Sequence, residues 1–271
     1  MNEADAIPAV LTIAGSDPSG GAGIQADLKT FVTTGAYGAA VITGLTAQNT
    51  CEVAGTLAVS AQFVDKQIHS VLSDLAIPVI KLGMLTSREI CKAVAPYLQG
   101  RLVVCDPVMI STTGFQLIDE DTAEALTESI LPMVDYLTPN RFELEKLCGS
   151  ASGEAPNAGR QLLGRFAGLR GIVLKGGHIH PEQPNVTDTL LYRQEGTIQE
   201  VVETRPRHDT PNTHGTGCTF ASAFASFLAQ GHGPAHAFSR TVDYTSKLIQ
   251  ISAQTRIGHG RGPLMHHLTG A

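Results

Sequence analysis

The chain has 271 residues, 42% of them hydrophobic, and its 19 basic against 25 acidic side chains give a formal charge of −6 at pH 7. That length suffices for one large core or two smaller ones, while an acidic balance without a basic run excludes the electrostatic footprint of a nucleic-acid binder. The apolar runs fall short of the roughly 20 residues of a membrane span, the start MNEADAIPAV lacks a basic leader region, and Cys51, Cys91, Cys105, Cys148 and Cys218 form no C-x-x-C pair, so the expectation is a cytoplasmic protein with reduced thiols and no membrane partner.

Taken in chain order, short runs rich in Val, Ile and Leu predict strands at 9–15, 39–47, 78–84, 101–108, 135–140 and 171–177. Amphipathic stretches between them predict helices at 22–35, 61–74, 86–99, 120–131, 141–149 and 157–168, several opened by a capping residue. This alternation predicts a mainly parallel sheet covered on both faces. Segment 49–60 reads as a small flap beside it. Beyond Gly177 two runs, 189–193 and 198–204, read as an antiparallel hairpin, and helices are predicted at 216–230 and 234–253. No repeat or linker interrupts residues 1–271, which read as one α/β domain of three layers.

In such sheets ligands gather beyond the carboxyl ends of the strands. The first strand runs into GSDPSGGAGIQADLKTF, where Gly15 and the glycines after it permit tight turns and Asp27 sits early in a helix, as a solvated acid or a dipole partner. Gln48 ends the second run with an amide that both donates and accepts, suited to a heteroaromatic edge or to a loop hydrogen bond. Asp106, in DPVM, precedes a small, hydroxyl-rich segment (110–116) with the composition of a lid. Glu143 follows TPN early in the next helix; together with Asp106, and with Asn140 nearby, it would suit a hydrated magnesium ion. Lys175 closes IVLKGG beside a glycine pair, a natural place for phosphate.

The segment THGTGCTF brings Gly215, Thr216, Gly217 and Cys218 to a helix start, where free amides and the helix dipole favour an anion. It is neither a Walker loop nor a dinucleotide fingerprint. Three roles stay open for Cys218: a thiolate whose pKa the dipole lowers and which takes a proton from a hydroxyl, a packed small residue, or a nucleophile, for which only His214 is near as a base. His178, His180 and Glu182 have part of a zinc-site spacing, but no further ligands complete it.

In succession, AGSDPSGGAGIQADLKTF, GAYG, LTAQNT, KLGML, DPVM, TPN followed by an acid, KGGH, THGTGCT and IGHGRGP resemble the hydroxymethylpyrimidine and phosphomethylpyrimidine kinases of thiamin biosynthesis, in the ribokinase-like superfamily. The resemblance spans nearly the whole chain. It implies a ribokinase-like fold with a small flap, ATP and magnesium as cofactors, a small pyrimidine as substrate and a homodimer. It also implies a pyrimidine pocket of Gly15, Asp27, Gln48, Met84 and Val108, a metal site of Asp106 and Glu143, ATP contacts from Asn140, Lys175, Gly215 and Gly217, and an anion hole over Gly215, Thr216, Gly217 and Cys218. In it, Cys218 takes the place of the aspartate base of most ribokinase-like enzymes. The lid ISTTG and Cys51 depart from the family pattern. A pyridoxal kinase on the same scaffold and a non-catalytic pyrimidine-binding protein are the alternatives.

Overall fold

The computed structural model describes residues 7–110, 115–149, 155–177 and 183–269. In chain order the main elements are β1 (Ala9–Ser16), α1 (Gly23–Thr34), β2 (Tyr37–Gln48), β3 (Val53–Ala58), α2 (Ala61–Leu72), β4 (Val79–Leu82), α3 (Arg88–Val94), β5 (Leu102–Cys105) and α4 (Glu120–Ala125). They continue with β6 (Tyr136–Leu137), α5 (Arg141–Cys148), α6 (Ala155–Arg165), β7 (Gly171–Leu174), β8 (Asn185–Gln194), β9 (Thr197–Pro206), α7 (Thr216–Ala229) and α8 (Pro234–Ser252).

All nine strands join one sheet in the order β3-β2-β1-β4-β5-β6-β7-β8-β9. From β2 through β7 neighbouring strands are parallel, and the sheet is completed by β3, antiparallel to β2, and by the β8–β9 hairpin, antiparallel to β7. The expected flap is thus the edge strand β3, hydrogen-bonded to the last turn-facing residues of β2 from Gly44 to Gln48.

Successive strand side chains point to opposite faces, and both faces are apolar because both are covered. Leu11, Ile13, Ile80, Leu82, Val103, Leu137, Ile172 and Leu174 pack with Val64, Ile68, Ile90, Leu144 and Leu162, the inner sides of α2, α3, α5 and α6. Val10, Val79, Val104, Tyr136 and Val173 pack on the other face with Phe31 of α1, Phe220 and Phe224 of α7, and Phe238 and Val242 of α8. These are the three layers. Two predicted helices are shorter than their amphipathic patterns: α3 gives way to a 3₁₀ turn at Ala95–Leu98, and a π-helical turn at Leu126–Ile130 followed by a 3₁₀ turn at Leu131–Met133 replaces the end of the helix predicted at 120–131. Pro96 and Pro132 lack the amide hydrogen that a continuing α-helix needs there.

What matters for the site is the reversal of strand order. The chain leaves β1 to one side for β2 and returns on the other side for β4. Their connections diverge at the carboxyl ends and open a crevice there.

Candidate active site

The loops after β1, β4, β5, β6 and β7, the end of β2 and the start of α7 surround one cavity of about 650 Å³. Of the residues expected in a site, Gly15, Gln48, Met84, Asp106, Val108, Asn140, Glu143, Lys175, Gly215, Thr216, Gly217 and Cys218 all line it. Gly15 and Met84 touch in the cavity wall, where a Cβ on Gly15 would overlap the Met84 methyl group.

The start of α7 is held open by glycine. Gly215 is its N-cap at φ 80°, in the left-handed region, and a Cβ there would overlap the carbonyl of Gly21. Of the amides expected to face an anion, that of Thr216 is taken: it donates to Thr213 O at 3.2 Å, as does the Thr216 hydroxyl at 2.8 Å. The amides of Gly217 and Cys218 have no acceptor among the described residues. A Cβ on Gly217 would stand 3.4 Å from Lys175 Nζ and 3.6 Å from Asp106 Oδ2. The two free amides, a cation and a carboxylate therefore meet at one point.

Lys175 Nζ donates to Asp106 Oδ1 at 2.9 Å, and the Thr138 hydroxyl donates to the same oxygen at 3.2 Å. Burial alone would depress the Lys175 ammonium, but Asp106 and Glu143 outweigh it and hold its pKa above the usual value. Glu143 closes a capping box at the start of α5: its Oε2 accepts from the Asn140 amide at 2.8 Å while Asn140 Oδ1 accepts from the Glu143 amide at 3.0 Å. Asn140 is therefore a helix cap first, with only its side-chain NH₂ left for a ligand. Burial, opposed by Lys175 and reinforced by Asp106, raises the Glu143 carboxyl to about 7. A carboxyl pushed up next to a second carboxylate is a place where a divalent cation relieves repulsion, so the two acids fit magnesium as part of its shell. Among the described residues no three His, Cys, Asp or Glu side chains cluster as a complete metal site.

Two expectations are corrected. Asp27 does not face the cavity: it is fully buried, and its oxygens accept from Lys81 Nζ at 2.9 Å, the Thr12 hydroxyl at 2.6 Å and the Ser222 hydroxyl at 2.7 Å. It anchors Lys81, a buried cation in the cavity wall. The thiol of Cys218 is not activated either. Burial pushes it up to about 11, with Lys81 pulling the other way and too weakly to compensate, so desolvation wins over the helix dipole.

Sequence reasoning missed Lys81 and Asp17, and weighed His214 only as a base beside Cys218. Lys81 had a signal, since a lysine in the middle of the fully buried strand β4 is rarely solvated. Asp17 organises the turn after β1, accepting from the amides of Ser19 at 2.9 Å and Ala22 at 2.8 Å. His214 bridges Asp17, at 2.7 Å, and the Gln48 amide, at 3.2 Å. The lid residues 111–114 and the pair His178 and His180 with Glu182 lie outside the described residues.

A helix start with two free amides beside a strand-end lysine, at a crevice beyond the carboxyl ends of a mainly parallel sheet, places the fold in the ribokinase-like class. More narrowly, the chain belongs to the phosphomethylpyrimidine kinase family, whose model matches residues 17–265. It is 40% identical over 264 residues to a hydroxymethylpyrimidine/phosphomethylpyrimidine kinase of Rhizobium meliloti, covering 94% of this chain and 96% of that protein. The chain spans only 35% and 52% of two multifunctional relatives, the thiamine biosynthesis proteins ThiED of Corynebacterium efficiens and Geobacter sulfurreducens, at 39% and 42% identity over 96% of this chain. Among solved structures, the phosphomethylpyrimidine kinase of Clostridium difficile superposes with a TM-score of 0.75 at 34% identity, over 90% of this chain and 100% of that one. The Staphylococcus aureus pyridoxal kinase in complex with AMP-PCP and pyridoxal gives 0.82 at 29% identity, over 96% and 94%.

Proposed function

We propose that this chain, as a single kinase domain, transfers the terminal phosphoryl group of ATP to 4-amino-5-hydroxymethyl-2-methylpyrimidine and then to the resulting monophosphate, giving the diphosphate used in thiamin biosynthesis. One observation supports the reading: the free amides of Gly217 and Cys218, the adjacent Lys175–Asp106 pair, and Gly15, Met84 and Gln48 all line a single cavity. Phosphoryl transfer through a loose transition state asks mainly for alignment and charge stabilisation. The amides and Lys175 receive the transferred group, and Gly15, Gln48, Met84 and Val108 hold the ring. Asp106 and Glu143 would hold magnesium, which when bound neutralises phosphate charge. Homodimer assembly and a cytoplasmic location complete the reading; no helix among the described residues is long and apolar enough to cross a membrane.

Cys218 serves the first transfer, whose acceptor is an alcohol that must lose a proton. The second acceptor, a phosphate, is already ionised. With the thiol raised to about 11, the thiolate accumulates only as pH rises, so the ratio of first to second phosphorylation rates grows from pH 7 to pH 9, roughly ten-fold per unit at most. Substituting Cys218→Ala slows the first transfer far more than the second and flattens that ratio. Separate assays of the two steps test this, and equal losses at all pH values reject the role. Mass spectrometry of the products with ATP tests the substrate itself. A second reading, pyridoxal phosphorylation, draws support from the closer superposition on the pyridoxal kinase; comparing kcat/KM for the two acceptors discriminates.

A further inference from the structure

Asp17, His214 and Gln48 form a chain of contacts in the cavity wall that phosphoryl transfer itself does not use. Asp17 and His214 are both nearly fully buried. The imidazole is packed against Gly21, where a Cβ would overlap its Cδ2, and its backbone amide donates to Gly262 O at 3.1 Å, so the ring has one orientation. Its Nε2 lies 2.7 Å from Asp17 Oδ2 and 3.2 Å from the Gln48 side-chain nitrogen.

One ring nitrogen has either a hydrogen or a lone pair to offer, never both. Asp17 decides which. Its two oxygens also accept backbone hydrogens from Ser19 and Ala22, the pattern of an ionised carboxylate. Although burial works to raise its pKa, the hydrogen bonds from His214 and Ser19 keep it below the usual value. Nε2 therefore bears the hydrogen and donates. A Gln48 NH₂ at 3.2 Å would set donor against donor. Exchanging the amide oxygen and nitrogen leaves the side-chain shape unchanged and turns the clash into one N–H shared between two acceptors, Asp17 Oδ2 and the Gln48 oxygen.

We infer that Asp17 and His214 are positioning residues that lock the Gln48 carboxamide with its oxygen toward His214 and its NH₂ toward the ligand, so that the pocket selects a heteroaromatic ring bearing an unprotonated ring nitrogen. This deepens the pyrimidine reading and rests on it for the identity of the ring. A pocket with a fixed donor discriminates against an isostere that lacks the matching acceptor, because the donor is then buried without a partner.

The test is calorimetric binding of hydroxymethylpyrimidine and of its two pyridine analogues, each with one ring nitrogen replaced by C–H. In the wild type one analogue binds about ten-fold more weakly or worse. His214→Phe, which keeps the ring packing but has no N–H, brings that ratio to within about twofold, while His214→Gln, with an amide NH₂ of similar reach, restores it. An unchanged ratio in a folded His214→Phe protein, or equal binding of all three rings by the wild type, overturns the inference. Should His214→Phe not fold, Gln48→Glu, which has acceptors only, must abolish the ratio, and its retention overturns the inference equally. Turnover is measured separately: a wild type that discriminates among the rings but phosphorylates none rejects the proposed reaction and leaves the lock standing.

Discussion

Glu143 shows how one side chain serves the fold and the cavity at once. It completes the cap of α5, yet burial raises its carboxyl to about 7, so the folded protein binds that proton more tightly than the unfolded chain does. Its contribution to stability is present below the ordinary carboxylate range and is lost as pH rises through about 7. Glu143→Gln keeps an acceptor for the Asn140 amide and removes the titration. Its melting temperature relative to wild type should therefore climb from pH 5 to pH 8, while activity falls about a hundredfold if the carboxylate helps to hold magnesium. A melting difference independent of pH would contradict the burial argument. At Gly217 the added methyl of an alanine meets Lys175 and Asp106 only at ordinary contact distance, 3.4 and 3.6 Å. Gly217→Ala should fold with near-normal stability yet lose about two orders of magnitude in kcat, because the methyl occupies space the phosphoryl group needs.

At the scale of elements, the decisive unit is α7 with the turn before it. Its N-cap glycine answers both a left-handed backbone and the nearness of Gly21, so Gly215→Ala carries strain of about 1–3 kcal/mol plus an overlap with backbone that cannot yield. Thermal denaturation should show a loss of several degrees, in contrast to Gly217→Ala. This helix, the parallel strands and the β8–β9 hairpin were legible in the sequence because period, glycine placement and turn residues are local signals. Asp27 was not. At a helix start it looks like a solvated acid, and nothing nearby in sequence announces Lys81 or Ser222, its partners across 54 and 195 residues. The state of Cys218 escaped for the same reason: its position at a helix start is local, but the desolvation that outweighs the dipole comes from the packed surroundings.

Across the whole molecule, the segment 258–263 ties distant parts of the rim together. Gly260 N and Arg261 N donate to the hydroxyl and carbonyl of Thr50 at 3.1 and 2.9 Å, while Gly262 O receives the His214 amide. A Cβ on Gly260 would overlap the Thr50 carbonyl. Gly260→Ala should therefore displace the turn after β2 and raise KM for the pyrimidine several-fold while leaving KM for ATP within about twofold; steady-state kinetics with each substrate varied in turn decides. The motif IGHGRGP was legible as a loop, but its grip on Thr50 is a tertiary fact.

Two pairings that shape the crevice span long stretches of chain: 69 residues between Lys175 and Asp106, 197 between His214 and Asp17. A nascent polypeptide emerging from the ribosome has its first strands and their covering helices well before residue 214 is made, yet no phosphate cradle. Nucleotide in the cell cannot rescue such a partial chain, because mass action stabilises only what already binds. Early synthesis must rest on apolar burial and on pairs already complete, such as Asp27 with Lys81, and competence arrives abruptly once the residues from His214 onward have been made.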